Sequence, residues 1–86
     1  MPELEIPEPF RRLASRLPQD IRLRLREKLR LLAENPGHPS LRLKRMPGRE
    51  GIWEMSVTMK YRVTFEYVGN KIMLRKIGPH DILQNP

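Results

Sequence analysis

An α+β domain is what this sequence predicts, and three observations carry the prediction. Apolar residues recur at helical spacing in two stretches before residue 35, a Leu17-Pro18 joint separates those stretches, and from Gly51 onward β-branched and aromatic residues alternate with polar ones. A helical period followed by a period of two reads as a helical hairpin and then a small antiparallel sheet. The expected boundaries are helices over about 9–16 and 18–35 and a sheet over about 41–77, in one domain spanning 1–86. A chain of 86 residues buries only about 60 to 65% of its unfolded surface, so one sheet and two helices fill it.

Leu4-Glu5-Ile6 has the composition of a short edge strand, which Pro7 and Pro9 cut off. A helix is expected from Pro9, where the missing N–H does no harm. Phe10, Leu13, Ala14 and Leu17 then fall at i, i+3, i+4 and i+7 as one apolar stripe. Pro18 fits the first turn of a second helix, whose buried stripe is Ile21, Leu25, Leu29 and Leu32 and whose end is Asn35-Pro36-Gly37. Leu23 and Leu31 lie off that stripe and either meet the first helix or line an exposed groove. Arg22, Arg26 and Arg30 repeat every four residues on another side, which fits a solvated face or a surface for RNA or a partner.

Leu41-Arg42-Leu43-Lys44 alternates as a strand whose leucines face the core, which would put Arg42 and Lys44 on the polar side of the sheet. Ile52 to Val57, Tyr61 to Tyr67 and Ile72 to Ile77 form a meander, joined at Thr58-Met59-Lys60 and Val68-Gly69-Asn70-Lys71. In its central strand Tyr61, Val63, Phe65 and Tyr67 share one side and Arg62, Thr64 and Glu66 the other. Trp53, Met55 and Val57 join the apolar side, so Trp53 reads as a core residue and Glu54 and Ser56 stand beside Arg62. Arg75 and Lys76 are adjacent, so strict alternation allows only one of them onto the polar face. That face is expected to be wet and to be the working surface.

Composition narrows the function. There is no cysteine, and the two histidines, His38 and His80, lack partners at metal-ligand spacing, so no thiolate chemistry, zinc site or other cofactor is expected. No apolar run approaches the roughly 20 residues of a membrane span, and the acidic start Met-Pro-Glu-Leu-Glu-Ile is unlike a signal peptide, so a soluble cytoplasmic protein is expected. The net charge of +7 is uneven: residues 11–49 hold twelve Lys or Arg against Asp20, Glu27 and Glu34. Such a field favours a polyanion or an acidic protein partner.

Taken in order, Leu17-Pro18, Asn35-Pro36-Gly37-His38-Pro39-Ser40-Leu41, Gly51-Ile52-Trp53-Glu54, Tyr61-Arg62-Val63 and Ile77-Gly78-Pro79-His80-Asp81 resemble the RelE/ParE superfamily of toxins from type II toxin–antitoxin systems. The resemblance runs from Phe10 onward. It implies a helical hairpin packed on a twisted antiparallel sheet, and a cognate antitoxin that wraps and neutralises the toxin. It also implies one of two targets: messenger RNA in the ribosomal A site, cut by RelE-like members, or DNA gyrase, poisoned by ParE-like members. RelE proper carries lysines along the strand that here reads Trp53-Glu54-Met55-Ser56, and a functional tyrosine after its last strand where this chain reads Ile82-Leu83-Gln84-Asn85-Pro86.

Cleavage of RNA without metal needs a base for the ribose 2′-hydroxyl, a cation for the phosphorane and an acid for the departing 5′-oxygen. Glu54, Arg62 and His80 have the side chains for those parts. By the resemblance, Arg62 stands where the ribonuclease relatives carry a phosphate-contacting arginine, and His80 near their acid or phosphate-binding base. Arg42, Lys44 and Lys76 are the expected RNA contacts. The plainer alternatives are a Glu54–Arg62 cross-strand ion pair and a capping role for His80.

Overall fold

The computed structural model describes residues 2–86. Strand β1 (Glu3–Glu5) leads into helix α1 (Glu8–Ser15) and helix α2 (Gln19–Glu34). A short 3-10 turn (Pro39–Leu41) precedes β2 (Lys44–Arg45), β3 (Ile52–Ser56), β4 (Tyr61–Val68) and β5 (Lys71–Pro79), and a second 3-10 turn (His80–Gln84) follows. The strands form one sheet in the order β1-β5-β4-β3-β2. The three long strands are the expected antiparallel meander, but β1 adds a parallel edge, with Glu3, Leu4 and Glu5 opposite Lys71, Ile72 and Met73.

The helices form where the apolar stripes are. Phe10 of α1 and Leu25 and Leu32 of α2 are buried with Met55, Val63, Phe65, Ile72, Leu74 and Ile77 in one core, each large side chain contributing about 1.5–3 kcal/mol by leaving water. Leu31 packs against this core, whereas Leu23 is half-exposed. Pro18 caps α2, and the N–H groups of Arg16 and Leu17 bond the Leu13 and Ala14 carbonyls, which makes the joint tight. Gly69 lies at φ 61° in the two-residue turn between β4 and β5, the left-handed conformation that a type II′ hairpin places at its first central position.

The expected strand over 41–44 does not form. His38 Nδ1 accepts the Ser40 N–H at 3.1 Å and the Arg42 N–H bonds the Pro39 carbonyl, so Pro39–Leu41 winds into a 3-10 turn that buries Leu41. Arg42 ends it at φ 50°, a left-handed conformation uncommon outside glycine, and pairing begins only at Lys44. Among the described residues no helix is long and apolar enough to cross a membrane.

Candidate functional site

The sheet has two faces of different chemistry. On the face away from the helices, Lys44, Glu54, Thr64 and Lys76 stand opposite one another across β2, β3, β4 and β5, and the next row is Ser56, Arg62 and Gly78. Glu54 and Arg62 are therefore diagonal neighbours on one face, as the alternation requires. They make no ion pair. The ion pairs among the described residues are Arg12–Glu8, Lys71–Glu5 and Arg75–Glu66. Arg62 Nη1 instead donates to Ser56 Oγ at 2.7 Å, while its Nε is buried without a partner.

The centre of this face is not wet, contrary to expectation, although Lys44 and Arg75 at its sides are exposed. Glu54 is 7% exposed, Ser56 9% and Thr64 0%, although none of them faces the helices. Residues 80–86 cross this face at Thr64 on β4 and Gly78 on β5. The Thr64 hydroxyl donates to the Pro86 main-chain oxygen at 3.0 Å, Arg75 Nε donates to the same oxygen at 3.1 Å, and Arg49 Nη2 donates to the Gln84 carbonyl at 2.6 Å. Ile82 lies over Gly78, where an added Cβ would come within 2.7 Å of its Cγ2. Nothing in the pattern of residues 80–86 announced that this stretch returns across the sheet.

A bulge changes the basic residues that the face offers. Thr64 pairs with Lys76 but Phe65 pairs with Leu74, which leaves Arg75 without an opposite residue. Alternation resets there, so Leu74 and Ile77 both reach the core and Arg75 joins Lys76 on the polar side, where the two help line a cavity of about 270 Å³. The restriction to one of the pair is thus corrected, and Arg49, from the loop before β3, joins them there as a basic group that sequence reading did not single out.

The remaining candidates divide. Lys44 is exposed opposite Glu54, whereas Arg42 sits at the end of the 3-10 turn, outside the sheet. His80 is exposed and opens the 3-10 turn two residues after Gly78, the partner of Arg62, about 7 Å along the chain at strand rise. No side-chain hydrogen bond involving His80 is found among the described residues. Trp53 lies on the opposite face, half-buried, with the Arg45 guanidinium 5.5 Å from its ring and Tyr67 edge-on at 5.7 Å.

No protein-family model and no curated protein matches the chain. Solved structures do. The fold is similar to YafQ from E. coli with a TM-score of 0.76 at 12% identity, covering 96% of this chain and 98% of that one. It is similar to the YoeB/ParE toxin from Agrobacterium tumefaciens with a TM-score of 0.74 at 13% identity, covering 91% and 98%. In the RelB-RelE antitoxin–toxin complex from Methanococcus jannaschii the TM-score is 0.70 at 18% identity, covering 96% and 95%. With its hairpin, its sheet and nearly its full length superposed on these proteins, the chain has the RelE/ParE toxin fold.

Proposed function

We propose that this protein is the toxin of a type II toxin–antitoxin pair, acting in the cytoplasm as an endoribonuclease on ribosome-bound messenger RNA. One observation carries the reading: Glu54 and Arg62 share a sheet face as diagonal neighbours without pairing to each other, so neither is spent on the other. In this scheme Glu54 takes the proton of a ribose 2′-hydroxyl, the freed oxygen attacks the adjacent phosphorus, and Arg62 stabilises the extra negative charge on the phosphorane. His80, protonated, gives its proton to the departing 5′-oxygen, which leaves a 2′,3′-cyclic phosphate and a 5′-hydroxyl. Lys44 and Lys76 flank the pair as contacts for the RNA backbone, and Arg42 reaches RNA only from outside the sheet.

The proposed partner is a cognate antitoxin. A groove of about 430 Å³ between the helices supports it, with Phe10, Ala14, Leu25 and Leu29 below and Arg11, Arg22 and Arg26 around it, a surface matched to an acidic amphipathic segment.

Burial of Glu54 favours a second reading, in which the protein binds DNA gyrase or another protein and cuts nothing. The two part on one comparison: purified protein, free of antitoxin, added to a translation extract and to a gyrase supercoiling assay. Cuts in ribosome-bound messenger that vanish in Arg62→Ala and His80→Ala support the ribonuclease. Intact messenger with blocked supercoiling, or folded variants that stay fully toxic, overturn it.

A further inference from the structure

The middle of the sheet's polar face, at Thr64, is covered by the chain's own C-terminal residues, which side-chain donors hold by their main-chain oxygens. Thr64 is completely buried, with its hydroxyl accepting the Lys76 N–H at 3.2 Å and donating to the Pro86 oxygen at 3.0 Å. That one oxygen also takes the Arg75 Nε–H, while Arg49 holds the Gln84 oxygen two residues earlier. A hydroxyl and two guanidinium groups thus hold two main-chain oxygens, those of Gln84 at the end of the 3-10 turn and of Pro86 just after it, a donor set whose strongest partners are phosphate oxygens. The carboxylates on this face are Glu66, 3.5 Å from Arg75, and Glu54. Arg49, Arg62 and Lys76 have no ion-pair partner among the described residues, so positive charge exceeds negative beside the cavity that Arg49, Arg75, Lys76 and Pro86 line.

We propose that Arg49, Thr64, Arg75 and Lys76 form a binding site for the phosphates of a single-stranded nucleic acid, which residues 82–86 occupy as an internal stand-in until the strand displaces them. The site rests on the ribonuclease reading only for the identity of the strand as RNA. Covering and binding share the same donors, so the apparent affinity of the strand is lowered by the fraction of molecules in which the segment is seated. The seat of Ile82 over Gly78 is where that fraction is set, because a methyl group at position 78 meets Ile82 Cγ2 at 2.7 Å.

The test uses the full chain and a short 5′-fluorescein-labelled oligodeoxynucleotide, which lacks the 2′-hydroxyl and is bound without being cut. Anisotropy reads affinity, and hydrogen exchange at the Asn85 amide, which bonds the Ile82 carbonyl, reads whether the segment is seated. Gly78→Ala and, independently, Ile82→Ser are expected to speed that exchange and to tighten binding about tenfold or more. Adding Arg75→Ala to Gly78→Ala should reverse the gain and lower the salt slope of log Kd by about 0.7, the loss of one phosphate contact on a single strand. The proposal is overturned if the wild-type protein binds the probe while Asn85 stays protected, or if the variants expose Asn85 and bind no more tightly. Absence of RNA cleavage leaves all of these readouts in place, so the two readings fail separately.

Discussion

Both faces of the sheet are closed at their centre, and they are closed by different physics. The helix side is closed by apolar packing, with Phe10, Leu25, Leu32, Phe65 and Leu74 at 4% exposure or less. The other side is closed by a segment whose hold is three side-chain bonds to main-chain oxygens and one isoleucine over a glycine. Dispersion and hydrophobic burial summed over a core make opening it equivalent to unfolding. Three hydrogen bonds, worth about 0.5–1.5 kcal/mol net for the hydroxyl and up to about 1.5–3 for each guanidinium donor, leave opening within reach of a ligand. A small domain can therefore keep a rigid scaffold and a removable cover on two sides of the same strands.

That contrast can be broken by mutation. The largest effect belongs to the apolar side: Phe65→Ala should cost about 3–5 kcal/mol of unfolding free energy in a denaturant titration. A loss under 1 kcal/mol would show that the helix side is no better closed than the other. Next, removing Glu54 or His80 from the proposed chemistry should slow messenger cleavage by about 10²- to 10⁴-fold with thermal stability little changed. A variant with full activity would remove that residue from the mechanism.

Thr64→Val keeps the shape but strips the hydroxyl from the Pro86 oxygen and the Lys76 N–H, and should cost about 1–3 kcal/mol. Faster exchange at Asn85 should accompany it; an unchanged rate would mean that Arg75 and Arg49 seat the segment alone. Arg49→Ala should act locally, releasing the Gln84 end with a change of about 1 kcal/mol or less in global stability, and accelerated exchange confined to residues 82–86 would check it.

The smallest effect lies at the edge of the sheet. The hydrogen bond from Lys71 to Glu5, followed by the charges of Glu5 and Glu3, raises the lysine's pKa above its ordinary value. Its contribution is therefore complete below the ordinary lysine range and is lost as pH rises through the raised value. The difference in Tm between wild type and Lys71→Met should be present at neutral pH and shrink in strong alkali. A difference independent of pH would assign the effect to packing of β1.

How much was legible beforehand follows from the range of each interaction. Helix stripes, the meander and the common face of Glu54 and Arg62 came from side-chain periods, which are local geometry. The bulge at Arg75 was hidden because it depends on which residue β4 presents opposite it, and the 3-10 turn at Pro39 because a histidine side chain caps it within two residues. What the sequence by itself determined is the order of the two helices and the three long strands and, away from the bulge, which residues share a side. Whether the polar side meets water was decided only in three dimensions, because the bonds that close it join residues 22 and 35 positions apart, and no repeating pattern of neighbours encodes a contact at that separation.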